Sequence, residues 1–423
     1  MDIRSVAIMG AGHGGLAAAA DLTRRGFEVR LHARRDESLS PIRAQGGIAT
    51  KGVQTGVVPI KLMTADVAEA IHGADLVMLV VPSVAHEFYA AALAPHLTPG
   101  QPVFVNPGHT GGGLHFVHSL REAGYRDSVN TCEGVTLTYI CRKTGPAEVD
   151  IFSMVKNLKF AAFPGKHADE LFAAIKKLYP EIVLSSSVLE TGLTNINAVF
   201  HTPGMLMNAG WIEDTGGDFL FYREGITPAV GRVTAEVDRE RLAVAKALSV
   251  PSASFLETFY QAGLTTKEAA DSGDISRACV ESVPNKSIKS PPSLDHRYVH
   301  EDVGYGLVPF AAFGYLAGVE TPTIDALIHL CSQLMGIPYA ETGLTLDKMG
   351  LAGIGPDQTW LEVWADPAVS RNTHSITVES DSARFELKIE NVPTDENPRT
   401  GRIVALSTLA ALKRLVDPLT VGT

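Results

Sequence analysis

Apolar runs of strand length alternate with glycine-rich or polar breaks over the first hundred residues. Residues 5–9 ("SVAIM") form one such run, glycines follow at once, an alanine-rich segment reaches about Arg25, and Phe27–His32 form a second run. Short continuous apolar runs bounded by turn residues are what strands buried on both faces require. The pattern predicts strand, turn, helix, strand. "ADLVMLVVPS" (74–83) predicts a further buried strand ended by Pro82, and "QPVFVNPGHTGGG" (101–113) another that runs into a glycine-rich turn. From about Glu190 the period changes. "TAEVDRERLAVAKAL" (234–248) and "TPTIDALIHLCSQLMG" (321–336) repeat their apolar positions at helical spacing.

The first turn carries chemistry. Gly10, Gly12 and Gly15 stand in the order G-x-G-x-x-G between a strand and a helix, with His13 and Gly14 inside the motif. In that setting the first glycine permits the tight turn and the second lets the backbone approach a pyrophosphate. The third lets helix pack on strand, and the helix N-terminus faces the anion. A Rossmann-type dinucleotide-binding domain is expected, followed by a mainly helical substrate domain: α/β overall. At the end of the second strand, where an acid usually binds the ribose of NAD, Ala33 is followed by Arg34 and Arg35. Two guanidinium groups welcome a 2′-phosphate, which points to NADP, with NAD still possible because Asp36 and Glu37 follow. The ends of the later strands face the ligand crevice of such a sheet, so Pro82, Ser83 and Asn106 are expected beside the nicotinamide. His109 belongs there too, or else faces solvent from a loop.

"LTNINAVFHTPG" (193–204) places Thr194, Asn197 and His201 at steps of three and four. Read as one helix, it has a polar face carrying these residues and an apolar face with Ile196, Val199 and Phe200. That face is either an active-site wall with His201 as its acid–base group or a core helix with satisfied polar groups.

Composition narrows the function. The 423 residues are 45% hydrophobic and 20% charged, with a formal net charge of −11. Such a field repels nucleic acid and anionic membrane surfaces, so neither is expected as a partner. Four cysteines without paired spacing point to reduced thiols in the cytoplasm, and no metal-ligand spacing is present.

"LTNINAVFHTPGMLMNAG", "YREGITPAVG" (222–231), "DHRYVHEDVGYGLVPFAAFGYLAGVETPTID" (295–325) and "LDKMGLAGI" (346–354) resemble the octopine/nopaline dehydrogenase family. The resemblance is close to the bacterial N-(1-carboxyalkyl)-amino-acid type and runs from residue 1 to about 357. It implies NAD(P)H-dependent reductive condensation of an L-amino acid with a 2-oxo acid through an imine. His201 matches the family's catalytic histidine; Arg297 and Asp302 match its downstream arginine and aspartate. Asp302 is then expected to orient His201, Arg297 to clamp a substrate carboxylate, and Asn197 and Thr194 to touch substrate. His296 and His300 flank Arg297 and are alternative partners.

The remaining stretch resembles the closing segment of L-aspartate dehydrogenases, including an Asn397–Thr400 turn. It reads as strands, with alternation over Arg384–Ile389, then an amphipathic helix. The expected division is 1–188 for the dinucleotide domain, 189–357 for the substrate domain and 358–423 for the extension, in a homodimer. Two other readings are a hydroxyacid or amino-acid dehydrogenase acting on a single substrate, with Lys286 or Lys289 as a catalytic lysine, and a non-catalytic NADP-binding regulator.

Overall fold

The computed structural model describes residues 1–351 and two strands of the tail, Asn372–Glu379 and Arg384–Asn391. Residues 1–351 form one compact unit, and 352–423 form a second.

An eight-stranded sheet organises the N-terminal half. Its strands lie in the order Ile182–Leu184, Leu158–Phe163, Asn130–Gly134, Pro102–Val105, Leu76–Leu79, Ser5–Met9, Glu28–His32 and Leu62–Thr64. All neighbours are parallel except Leu158–Phe163 against Asn130–Gly134. The central strand shows why its sequence is apolar throughout. Val6 and Ile8 join the core on one face while Ala7 and Met9 join the core on the other. Helix His13–Arg24 covers the first face, and His86–Leu93 and Gly112–Glu122 contribute to the second. A smaller four-stranded sheet stands beside it, ordered Gly56–Val58, Ile48–Gly52, Glu148–Met154, Tyr139–Gly145.

After Leu184 the described chain is helical up to Leu351, around a separate apolar core that includes Phe200, Phe255, Phe259, Phe310 and Phe313. Pro228–Ala247 and Pro322–Met335 are its longest helices, each with proline in its first turn, where the missing N–H costs nothing. Among the described residues, no helix is long and apolar enough to cross a membrane.

The single-helix reading of 193–204 is corrected. Helix Val188–Leu193 ends at Thr194, and a new helix runs Asn197–Met207. The break has a local cause. Asn195 accepts the Asn197 N–H with its own side chain (3.1 Å) and donates to Thr110 Oγ1 (3.1 Å), so a side chain replaces a backbone partner. The Thr194 hydroxyl turns back to Glu190 O at 2.7 Å.

In the tail, Asn372–Glu379 and Arg384–Asn391 pair antiparallel with Ser375 opposite Lys388. The helix expected beyond Asn397 lies outside the described residues.

Candidate active site

Two hollows in the first unit hold the candidate chemistry. One is a crevice of about 250 Å³ at the carboxyl ends of the central strands, lined by Gly10, Gly12, Ala33, Arg34, Arg35, Ser38, Pro82 and Lys143 among others. Gly10 has φ +119°, and a Cβ on Gly15 would sit 1.8 Å from the Gly10 carbonyl oxygen, so the turn and the helix are bound together by the absence of side chains. A Cβ on Gly12 would meet nothing within 4 Å, and no side chain caps the helix beginning at His13. The uncapped N–H groups therefore face open space, which fits a pyrophosphate. Arg34 and Arg35 are exposed, with the Arg34 guanidinium 5.5 Å over the Phe88 ring. Asp36 is held by Arg43 at 2.8 Å and does not line the crevice.

The other hollow is a cavity of about 310 Å³ lined by Thr194, Asn195, Asn197, Phe200, His201, Tyr222 and Arg297, with Val135, Leu137, Ile140 and Leu264 supplying much of its apolar wall. Its cations are Arg297, Lys156 and Lys159, and Lys159 is already paired with Glu190 at 2.8 Å. Among the described residues, no carboxylate lines it.

His201 is buried and fully bonded. Its Nδ1 lies 2.8 Å from Asp302 Oδ2 and its Nε2 lies 3.0 Å from the Tyr222 hydroxyl, which is 3.1 Å from the Tyr298 hydroxyl. The ring is stacked on Tyr298 at 3.7 Å and on Phe200 at 4.4 Å. Burial pushes the Tyr222 phenol well above its ordinary pKa, so it stays protonated across the physiological range.

Helix Arg297–Asp302 explains how one short segment serves two purposes. At 100° per residue, positions five apart point about 140° away from each other. Asp302 and Tyr298, four apart, both meet His201. Arg297 and Glu301 form the other pair, Nε to Oε2 at 3.4 Å. Glu301 is buried, accepts the Ser83 N–H at 2.9 Å and lies 3.5 Å from His109 Nε2. Burial alone would raise its pKa, but His109, Arg297 and the Ser83 N–H outweigh it and hold the carboxyl below its ordinary value.

The other expected residues fall out differently. His13 is exposed by surface area, but surrounding protein partly desolvates its ring, and that effect, followed by the charge of Arg297, lowers its pKa. Gly14 packs against Leu137 and Val80, leaving no room for a side chain. Asn106 is fully buried with its amide spent on Thr138, at 2.9 and 3.2 Å. Ser83 is buried and reaches Glu301 through its backbone. His109 does not face solvent: it is buried at φ +53°. His296 caps its helix by accepting the Tyr298 N–H, and His300 is engaged by Tyr339 and Asp295. Lys289 is on the surface with Asp218, and Lys286 is exposed; neither lines the cavity.

Tyr222, Tyr298 and Glu301 were not singled out from the sequence. A signal existed for Glu301, which stands four residues after Arg297 and so on the same helix face. Tyr222 opens the family-like stretch 222–231 but had no assigned role, because it reaches His201 only through tertiary packing.

A nucleotide crevice on a doubly wound sheet, beside a cavity holding a carboxylate-bound histidine and an arginine, defines a dinucleotide-dependent oxidoreductase. Residues 184–335 match the model of the NAD/NADP octopine/nopaline dehydrogenase α-helical domain. Residues 5–108 match that of the NAD-dependent glycerol-3-phosphate dehydrogenase N-terminus, and 346–415 that of the aspartate dehydrogenase C-terminus. The chain is 35% identical over 359 residues to an opine dehydrogenase of Arthrobacter sp. (strain 1C), covering 84% of this chain and 97% of that one. A solved octopine dehydrogenase superposes with TM-score 0.67 at 22% identity, covering 82% of this chain and 95% of its own. The tail is 59% identical over 75 residues to L-aspartate dehydrogenase 3 of Bordetella bronchiseptica, covering 18% of this chain and 27% of that enzyme. The chain belongs to the opine dehydrogenase family. It is an NAD(P)-dependent oxidoreductase acting on CH–NH donors, of the type that joins an amino acid to a 2-oxo acid through an imine.

Proposed function

We propose that this enzyme condenses an L-amino acid with an uncharged side chain and a small 2-oxo acid, with NADPH preferred over NADH. The observation that carries the substrate reading is the cavity wall: the Asp302-bound His201 and Arg297 line it, much of it is apolar, and no acid among the described residues lines it. A cationic side chain would stand there beside Arg297 with no lining carboxylate, among the described residues, to balance the repulsion. The bound dinucleotide supplies the hydride.

The protein's residues do the rest. Arg297, steadied at Nε by Glu301, turns its remaining N–H groups to a substrate carboxylate. His201, with Nδ1 held by Asp302, is the source of the proton consumed when the carbinolamine loses water. Asn197 and Thr194 border the bound substrates, Asn197 from one helical turn before His201. For the cofactor, Arg34 and Arg35 meet the 2′-phosphate, while Asp36, tied to Arg43, is withdrawn from competition.

We place the enzyme in the cytoplasm as a homodimer. Four free cysteines support the reducing compartment, and the tail, an additional sheet-forming segment, supports subunit contact.

The test is oxidation of NADPH with a matrix of 2-oxo acids against amino acids. Turnover that requires both partners and favours norleucine over lysine, and citrulline over arginine, is the expected result. Turnover with the oxo acid alone would make it a hydroxyacid enzyme.

A further inference from the structure

His201 Nε2 is the imidazole nitrogen left for chemistry once Asp302 holds Nδ1, yet it faces a hydroxyl: Tyr222, at 3.0 Å. That phenol lines the substrate cavity, and its one other close partner among the described residues is the Tyr298 hydroxyl at 3.1 Å. When His201 is protonated both ring nitrogens donate, so the Tyr222 oxygen must accept from Nε2. Its own proton then turns either to Tyr298 or into the cavity.

We infer that Tyr222 is a catalytic residue that passes the proton of His201 to substrate. The inference rests on the condensation reading above. In the dehydration step the carbinolamine C–O bond breaks as its hydroxyl takes the phenolic proton and leaves as water. The nitrogen lone pair forms the C=N bond, giving an iminium. The Nε2 proton moves to the phenolic oxygen at the same time, so the phenol is restored and the imidazolium becomes neutral imidazole. One proton is consumed and none is left on Tyr222. Tyr298 fixes the phenol from the side and stacks flat on the imidazole at 10°, which keeps the two acid–base groups in line. A chain of this kind needs heavy-atom separations within hydrogen-bond reach, and the His201–Tyr222 link meets that requirement at 3.0 Å, while the phenol lines the cavity in which the substrate is placed.

The full-length wild type and Tyr222→Phe are compared with the fastest substrate pair of the matrix. Expected are a roughly 10- to 100-fold lower kcat, little change in KM, and a proton inventory in H2O/D2O mixtures that changes from curved to linear. Replacing Tyr222 by 3-fluorotyrosine, a more acidic phenol of nearly the same shape, is expected to alter kcat; a merely structural hydroxyl would leave it unchanged. In the free protein, the 15N resonance of His201 Nε2 is expected to move on Tyr222→Phe while Nδ1 stays. A kcat within twofold of wild type with an unchanged inventory overturns the relay, as does an unmoved Nε2 resonance. Wild-type turnover without an amine partner instead overturns the condensation reading, and the NMR comparison stands apart from it.

Discussion

Replacing Arg34 and Arg35 together by glutamine puts the cofactor assignment to a quantitative test. Both side chains are exposed at the crevice, with Ser38 beside them; Asp36, next in sequence, is bonded to Arg43, and neither it nor Glu37 lines the crevice. A ribose 2′-phosphate placed there meets two guanidinium groups and no free carboxylate among the crevice residues. A hydrogen bond to a charged group contributes about 1.5–3 kcal/mol, and exposure to water reduces that for both arginines. The pair is therefore expected to contribute ~2–4 kcal/mol to NADPH and little to NADH, which lacks the phosphate. At about 1.4 kcal/mol per tenfold, NADPH affinity should fall about 30- to 700-fold while NADH changes less than about threefold. Fluorescence titration of each cofactor onto the wild type and the variant reads both numbers, and raising the salt should weaken wild-type NADPH binding more than NADH binding. Equal weakening of the two cofactors, or a wild type that binds both alike, refutes the reasoning.

His201→Asn should lower kcat by roughly 10²- to 10⁴-fold with NADPH affinity nearly unchanged, as direct titration of the variant would show. Arg297→Lys should chiefly raise the KM of one substrate, because a point charge cannot reproduce a planar fork already anchored to Glu301; a pure kcat effect contradicts the clamp. Acid stability carries a signature of His86, whose pKa burial lowers to about 3. The unfolded chain binds this proton near pH 6.5 and the folded protein does not, so stability is lost as pH falls from about 6.5 toward 3. His86→Gln should flatten that limb by about one proton, or ~1.4 kcal/mol per pH unit, in urea unfolding followed between pH 4 and 6; an unchanged slope contradicts it. A chain ending at Asp357 is expected to keep its turnover and to change its oligomeric state by light scattering. A truncated protein that is folded and binds NADPH without turnover assigns the tail to the active site.

Some of this molecule is written in short stretches of its sequence. The apolar run Ser5–Met9 and the glycine turn after it specify a strand and a helix with no side-chain cap at its N-terminus, because tight turns and close packing depend on neighbours a few residues away. The helical period of Pro228–Ala247 and the alternation of Arg384–Asn391 are local in the same sense. Thr194 shows where local reading fails: a period of three and four continued across a break that Asn195 makes through Thr110, 85 residues away. The candidate active-site arrangement lies wholly beyond that reach. His201 meets Asp302 across 101 residues and Tyr222 across 21, and Glu301 meets Ser83 across 218. Spacing in sequence put Arg297 and Asp302 on one helix; only packing of that helix against the Ser83 loop on one side and the His201 helix on the other gave its two faces separate partners. A hydrogen bond depends on tenths of an ångström and on direction, and those are settled by the cores that hold the elements together.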